Sequence, residues 1–458
     1  MDISNKNVFV NKIKFGEDST LRVALNSLED YGTLSYDDIE GDENSKLNLK
    51  FTNGIKENGA VYKIFNSDNE LILIENPLLD IIDMQDGSYS VSKKAAALLE
   101  EDLGLSNTEV NIVIALLNKP DDTTNKDFVN IQENLLNLLQ SDDKRVFLTA
   151  KKALNALEGV DRSIYQSQIT NLFNQLHIIS SQMASNNISF KVGHSGGDMD
   201  PRAKVYIKGI YDRTKSSMGE GFRARSKGAV LGVQSEVTDT LTLGVGYATS
   251  QTTAKEDLRR TEVDTNTGFI SAHYQPNAWW ISGLATFSRG EYEEEKQILS
   301  SVGKASYDVD SWGAQVMTGY DIKLEKAVIT PEVGLRYLSV KQEGYTDTLG
   351  TTVSGTRSDY LTAIAGIKTA WDLGKIRPTV GINVGYDIIS DDVTVLNTLA
   401  NGASYTVNSE ALDRLSVGIS TGIEAKVSDR TNMKLEYNGS FRKEYVDHSG
   451  MIKLEMRF

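Results

Sequence analysis

The run that comes nearest to a catalytic motif is Gly193-His194-Ser195-Gly196-Gly197, which fits the G-x-S-x-G pattern of a nucleophile elbow. In hydrolases this pattern lies between a strand and a helix, where a sharp turn exposes the serine hydroxyl. Here the segment GDMDPR and a predicted strand follow the run, and no helix does. A glycine-rich turn is therefore the favoured interpretation, and Ser195 is not expected to act as a nucleophile.

Side chains that bind metals or cofactors are few and scattered. The chain has no cysteine, which excludes disulfides, thiolate nucleophiles and cysteine-based metal sites. No P-loop or dinucleotide-binding fingerprint is present. The four histidines, which lack metal-ligand spacing, are His177, His194, His273 and His448. We therefore expect no metal, no cofactor and no enzymatic activity.

The overall charge and hydropathy exclude further classes. A net charge of -15 argues against nucleic acid as a partner, because phosphate binding needs clustered lysine and arginine. No window approaches the roughly 20 uninterrupted apolar residues of a membrane-spanning helix. A barrel strand needs only about 10 residues with every second one apolar, so its signal is alternation rather than mean hydropathy.

The first third of the chain divides into a strand-rich part and a helical part. Residues 1–90 alternate short β-like runs with Asn, Asp and Gly turns. From residue 91 the pattern predicts a helix that ends at Gly104, and a second helix that has Thr108 as its N-cap and stops before Pro120. Further helices are predicted over 127–139, 142–157 and 163–186.

The helix predicted over 163–186 differs from the others in its lack of charge. Residues 163–190 contain no Asp, Glu, Lys or Arg, although these types make up 24% of the chain. One side is an apolar stripe, and the other carries Asn, Gln, Ser and Thr, which suit a helix enclosed by a polar wall. At 1.5 Å per residue it would measure roughly 36 Å, enough to cross a bilayer of about 30 Å.

From Lys204 to Phe458 the sequence alternates with a period of two. Twelve strands are predicted, over 203–212, 229–237, 240–250, 268–275, 279–288, 311–324, 327–340, 359–373, 376–389, 415–427, 432–441 and 450–458. Their connections alternate between short turns and long loops, the latter including 293–306. This asymmetry is typical of outer-membrane barrels, with short periplasmic turns and long external loops.

The two faces of these strands differ in character. In the run over 376–389, Val380, Ile382 and Val384 alternate with Gly381, Asn383 and Gly385. Glycines on the polar face, where a solvated strand should avoid them, are Gly244, Gly246, Gly313, Gly319, Gly334, Gly366, Gly381, Gly385, Gly418 and Gly422. We expect something to approach this face closely, and the uncharged helix over 163–186 is the candidate.

Together, a strand-rich segment, a helical stretch, twelve alternating strands and a terminal Phe458 resemble the monomeric autotransporters of type V secretion. The resemblance implies an all-β fold, a 12-stranded antiparallel transmembrane β-barrel with a helix in its lumen. It divides the chain into the end of a solenoid-like passenger (1–90), a helical linker with the pore helix 163–186 (91–203) and the barrel translocator (204–458). The start MDISNKNVFV lacks a secretory signal, so we expect a longer precursor.

The resemblance also implies a function and partners. The barrel would be an outer-membrane translocator and anchor that supports export of its own passenger to the cell surface, as a monomer surrounded by outer-membrane lipid. The C-terminal residues Ile452, Leu454, Met456 and Phe458 look like the signal that the barrel-assembly machinery reads. A passive diffusion channel in the outer membrane is the alternative from another class.

A third alternative is a translocator that cleaves itself. Some members of the family release the passenger when an asparagine in the pore cyclises, and the pair Asn186-Asn187 lies in the corresponding region. That reaction needs lumen carboxylates to assist proton transfer; the candidates are Asp212, Glu332, Glu424 and Glu436. The residues around the pair do not match the motif of the self-cleaving members, and an asparagine also suits a helix C-terminus.

Overall fold

The computed structural model describes residues 3, 6–16, 18–25, 30–40, 44–52, 54–55, 57–121, 124–158, 203–218, 221–409 and 411–458. The helix predicted over 163–186, the pair Asn186-Asn187 and the motif around Ser195 lie outside the described residues.

The N-terminal part is built from short strands that pair in parallel at a constant spacing. Its strands are β1 (Asn7–Lys14), β2 (Thr20–Leu25), β3 (Thr33–Glu40), β4 (Lys46–Phe51), β5 (Ala60–Lys63), β6 (Ile72–Leu73), β7 (Leu79–Asp83) and β8 (Ser88–Lys93). Asn7 pairs with Thr33, Thr20 with Lys46 and Lys46 with Ile72, an offset of 26 residues each time. A constant parallel offset is the geometry of stacked solenoid rungs. Strands β5, β8 and β7 form an antiparallel sheet beside them.

Four helices follow: α1 (Ala96–Leu103), α2 (Asn107–Leu116), α3 (Lys126–Leu139) and α4 (Lys144–Leu157). Gly104 ends α1 in the left-handed conformation, as predicted. The predicted N-cap of α2 was wrong. Ser106 caps it instead of Thr108, because the Ser106 hydroxyl accepts the Glu109 N–H while the Glu109 carboxylate accepts the Ser106 N–H.

The remaining strands are β9 (Ala203–Ser216), β10 (Phe222–Thr238), β11 (Leu241–Lys255), β12 (Arg259–Tyr274), β13 (Trp279–Ile298), β14 (Ser301–Tyr320), β15 (Ile322–Lys323), β16 (Ala327–Gln342), β17 (Tyr345–Thr346), β18 (Thr352–Val353), β19 (Thr356–Trp371), β20 (Ile376–Ser390), β21 (Val393–Thr398), β22 (Ser404–Ser409), β23 (Leu415–Lys426), β24 (Thr431–Arg442) and β25 (Tyr445–Arg457). Each long strand of this set pairs antiparallel with its neighbours, β25 pairs with β9, and β14 pairs with β16. The result is a closed barrel of twelve strands, which confirms the predicted fold.

The outer face of the barrel is an apolar belt. Val384 is 45% exposed while its neighbour Gly385 is buried, and the same alternation holds along β14 and β10. Exposed aromatic residues such as Tyr274, Trp279 and Tyr320 lie near the short-turn rim. An apolar exterior with aromatic residues at its edges fits hydrocarbon.

The long external loops were partly mispredicted. Residues 293–306, predicted as a loop, belong to a hairpin of two 20-residue strands, β13 and β14. Beyond the belt the alternation inverts: Tyr292, Tyr307 and Val309 point inward and are buried, while Glu291 and Glu293 point outward. These strand extensions face water outside and pack inside, so the pattern of the membrane-embedded strands does not detect them.

Within the two longest connections, β17, β18, β21 and β22 form a separate four-stranded sheet. A single buried apolar cluster runs from the N-terminal strands through the helices into this sheet and the strand extensions. Among the described residues, no helix is both long and apolar enough to span a membrane.

Candidate functional site

The lumen wall is polar, and its charges are paired within the wall. Strands β23, β24 and β25 each direct one lysine and one glutamate inward at alternate positions. Lys434 lies 2.6 Å from Glu436, and Lys453 lies 2.6 Å from Glu455. Pairing lowers the cost of holding buried charge, and the wall presents both signs to whatever occupies the lumen.

All four carboxylates predicted to assist proton transfer in asparagine cyclisation, namely those of Asp212, Glu332, Glu424 and Glu436, face the lumen. Glu332 pairs with Lys368 at 2.9 Å, and Glu424 lies 3.9 Å from Arg377. Asp212 accepts a hydrogen bond from the Ser449 hydroxyl on the neighbouring strand β25. The asparagine pair that these carboxylates would assist lies outside the described residues, so the structure does not bring the two sets together.

Three glycines of the inner face lie against large side chains of the barrel wall itself. A Cβ on Gly246 would lie 2.2 Å from the Phe269 ring, and one on Gly319 would lie 2.5 Å from the Trp280 ring. A Cβ on Gly334 would meet the Met317 sulfur at 2.2 Å. At these positions the close neighbour is a large side chain from the adjacent strand, and the expected approach of the helix over 163–186 stays a prediction, because that helix lies outside the described residues. Glycine makes room for the large side chain on the crowded concave wall.

At the rim of the long connections, the helices dock onto the barrel. The amide of Asn401, in the β21–β22 turn, donates to the carbonyls of Ala115 at 3.0 Å and Asn118 at 2.9 Å. The Tyr405 hydroxyl donates to the Leu157 carbonyl at the end of α4. Burial beneath the helices raises the pKa of the Tyr405 phenol well above its ordinary value.

An aromatic stack fills the space beneath this contact. The ring centroids of Tyr292 and Tyr307 lie 5.3 Å apart, and those of Tyr307 and Tyr345 lie 4.2 Å apart. Beside the stack, a buried ion pair joins Lys296 to Asp347 at 2.7 Å. We call this region, from the Asn401 contact to the tyrosine stack, the mouth core.

Sequence reasoning missed the mouth core. The Asn401-Gly402 pair is a recognised hairpin signal and could have located the β21–β22 turn. Nothing local to that turn indicates that its Asn401 side chain meets a helix nearly 290 residues earlier in the chain.

The ends of the chain on either side of residues 159–202 lie at opposite rims. Arg259, at the start of β12 on the long-connection rim, donates to the Glu158 carbonyl at 2.6 Å. Ala203 begins β9 at the short-turn rim, where its carbonyl accepts the Phe458 N–H at 3.0 Å. Glu158 and Ala203 therefore lie at opposite rims of the barrel.

The predicted C-terminal signal residues share the outer face at the short-turn rim. Ile452, Leu454 and Met456 are exposed, Phe458 is 63% exposed, and the intervening Lys453 and Glu455 are buried toward the lumen. The terminal strand therefore displays the four side chains as one row.

The histidines are dispersed. His273 is buried on the inner face of β12, and His448 lies on the outer face of β25 with its ring 6.0 Å from that of Tyr437. His177 and His194 lie outside the described residues. No group of three or more potential metal ligands occurs in the part of the chain that the structure describes.

Comparison with known proteins agrees with this geometry. The chain is 22% identical over 338 residues to outer membrane protein A of Rickettsia rickettsii, covering 67% of this chain and 15% of that protein. It is 23% identical over 326 residues to outer membrane protein B of Rickettsia prowazekii, covering 64% of this chain and 20% of that protein. The chain thus spans a fifth or less of the length of these relatives.

The fold is that of a solved translocator. The translocator domain of the autotransporter NalP from Neisseria meningitidis superposes with a TM-score of 0.54 at 17% identity, covering 65% of this chain and 100% of that domain. The family model described as "Autotransporter beta-domain" matches residues 205–438, just over half of the 458-residue chain. The chain therefore belongs to the autotransporter β-domain family, and its barrel is an outer-membrane translocator.

Proposed function

We propose that this translocator carries residues 1–90 to the cell surface as the end of its own passenger and keeps them there. In this proposal residues 91–203 are the linker, residues 163–186 cross the lumen as a helix, and residues 204–458 are the anchor. The observation that carries it is the placement of Glu158 and Ala203 at opposite rims. A linker through the lumen joins those rims without crossing the lipid.

The alternative, a passive diffusion channel, is disfavoured by the mouth core. A channel needs an aqueous path through both rims, and here buried tyrosines and docked helices occupy the long-connection rim. A translocator that has finished export does not need an open aqueous path.

The partners follow from the surfaces. The apolar belt suits outer-membrane lipid, and the row formed by Ile452, Leu454, Met456 and Phe458 suits recognition by the barrel-assembly machinery. Because the barrel closes on itself and has no free strand edge to pair, we propose a monomer. We propose no enzymatic role, and the passenger remains attached unless Asn186 or Asn187 cyclises.

The test is site-specific labelling, which the absence of native cysteine makes unambiguous. Glu57→Cys places a thiol in an exposed turn of the N-terminal part, and Asp239→Cys places one in the exposed β10–β11 turn. A membrane-impermeant maleimide should label Glu57→Cys in intact cells and Asp239→Cys only after the outer membrane is permeabilised. The reverse pattern would contradict the proposed export.

A further inference from the structure

Six exposed basic side chains cluster on one side of the outer wall, on three adjacent strands. We call them the basic patch: Arg213 and Lys215 on β9, Arg223, Arg225 and Lys227 on β10, and Lys255 on β11. All six point outward, away from the lumen. They stand out in a chain whose net charge is -15.

The strand register sets these like charges directly against one another. Arg213 is paired across the ladder with Arg225, and Lys215 with Arg223. Arg223 is also paired with Lys255 on its other side. Like charges at directly opposed positions destabilise a sheet. An anion bound between them would remove that cost.

No carboxylate of the described residues lies within ion-pair distance of the patch. Other outward basic residues at the same end of the barrel do have such partners. Arg289 pairs with Asp308, Lys304 with Glu295 and Arg357 with Asp359. Within the described chain, the basic patch differs from these in lacking an internal counter-charge.

The patch lies at the upper edge of the apolar belt. Tyr211 and Leu231 are exposed on the same face, and Arg213 lies two residues beyond Tyr211. The Arg213 guanidinium lies 5.5 Å from the centroid of the Tyr211 ring, and its Nε donates to the Tyr211 hydroxyl at 3.1 Å. Aromatic residues mark the interface of a membrane barrel, so the patch is at the height of the outer-leaflet headgroups.

We propose that the basic patch binds the phosphate groups of a phosphorylated glycolipid of the outer leaflet. Such a lipid can contact the apolar belt and the basic patch at the same time. Its acyl chains would cover the belt beside Leu231, and its phosphates would lie between Arg213 and Arg225. Guanidinium groups bind phosphate oxygens in pairs and suit this role. The inference rests on the placement of the barrel in the outer membrane.

The test compares two triple variants of the full chain. The patch variant is Arg213→Gln, Arg225→Gln and Lys227→Gln. The control is Arg289→Gln, Lys304→Gln and Arg357→Gln, which removes as many outward charges, away from the patch, whose carboxylate partners are internal. Each protein is mixed with detergent micelles that contain bisphosphorylated lipid A, and the bound lipid is counted by native mass spectrometry.

The patch variant should bind lipid A at least about 10-fold more weakly than the parent, since each of the three removed surface cations attracts anionic lipid. The control should stay within about twofold, and fully dephosphorylated lipid A should bind parent and patch variant equally weakly. Equal retention of lipid A by parent and patch variant would overturn the proposal, as would parent binding that does not depend on phosphate.

A second copy of the chain is the competing occupant of the basic patch, because the acidic outer face of β12–β14 could meet it across a dimer contact. Sedimentation velocity of the parent and the patch variant distinguishes that occupant from lipid. Both proteins should sediment as monomers. A dimeric parent with a monomeric patch variant would assign the patch to the contact between copies and overturn the proposed lipid binding.

The folded state of each variant is checked by electrophoresis, where a heat-dependent change in mobility in all three proteins shows that the barrel is intact. If the triple patch variant lacks that change, Arg225→Gln alone should still weaken lipid A binding. Parent-like binding by that single variant would overturn the proposal.

Discussion

A residue in a barrel strand faces either hydrocarbon or the lumen, and neighbours along one strand experience opposite solvents. Val384 is exposed on the outer face of β20. Asn383 faces inward beside a lumen cavity that it shares with Ser416 and Gly418. A charge placed at these two positions therefore meets hydrocarbon in one case and the polar wall of the lumen in the other.

We expect Val384→Arg to lower the free energy of unfolding by about 2 to 4 kcal/mol, the cost of an arginine on the lipid face near the midplane. Asn383→Arg should avoid that cost, because its side chain extends into the lumen. Urea titrations of both variants in lipid vesicles measure the difference. Equal losses at the two positions would mean that the faces have been assigned wrongly.

The inner-face glycines permit a second test at single positions. Gly246→Ala places a Cβ against the Phe269 ring and the Leu231 carbonyl, and overpacking of this kind costs about 1 to 3 kcal/mol. Gly268→Ala is the control on the adjacent strand, where a Cβ would have no atom within 4 Å. The two urea midpoints should differ, with the Gly246 variant lower, and coincident midpoints would contradict the packing.

At the scale of elements, the β21–β22 hairpin and helix α2 hold each other in place. Asn401→Ala removes the two hydrogen bonds to the Ala115 and Asn118 carbonyls, and a third in which the Asn401 side-chain oxygen accepts the Ala403 N–H within the hairpin. We expect the contact to weaken by about 1 to 3 kcal/mol, which amide hydrogen exchange should report as faster exchange in α2. Asn408→Ala, which removes the exposed bond from Thr394 in the same hairpin, should leave α2 unchanged.

The last strand, β25, has a structural and a proposed targeting role that can be separated. It closes the barrel by pairing with both β24 and β9, so it cannot be removed as a whole without opening the ladder. Deletion of Phe458 removes one exposed ring and one terminal hydrogen bond. We expect the deletion to refold in detergent almost as well as the parent but to insert poorly in cells.

Parallel measurement of refolding yield and membrane insertion distinguishes the two roles. Phe458→Tyr is the matched control, since it keeps an aromatic ring at the same position and should insert normally. Normal membrane insertion of the variant without Phe458 would contradict the proposed targeting role but would not contradict the barrel fold.

At the scale of the whole molecule, the mouth core and the proposed lumen helix are two separate seals. Residues 1–158 contribute α1–α4 to the mouth core, whereas residues 163–186 would fill the bore. We expect low conductance from the parent and from a chain that lacks residues 1–162, and a much higher conductance once residues 1–186 are removed. Planar-bilayer recordings measure all three.

A large conductance already in the chain without residues 1–162 would place the seal in the mouth core instead of the bore. The control is the folded state: each protein should migrate differently before and after boiling, because a closed ladder resists detergent. Denaturing gels of the parent also test self-cleavage. One full-length band is expected, and two fragments divided near Asn186 would show that the pair reacts.

The sequence by itself determined the twelve strands, the two faces of each and the Gly104 end of α1, because alternation and capping depend on residues close together in the chain. The inward positions of Asp212, Glu332, Glu424 and Glu436 follow from the same alternation. Only the tertiary structure decided the rest. Strand register opposes Arg213 to Arg225 and places Phe269 over Gly246, and docking brings Asn401 to α2. These contacts join residues on different strands or helices, which no local pattern relates. Beyond the apolar belt the outer face meets water and the inner face is packed, so the alternation that identifies the membrane-embedded strands no longer applies.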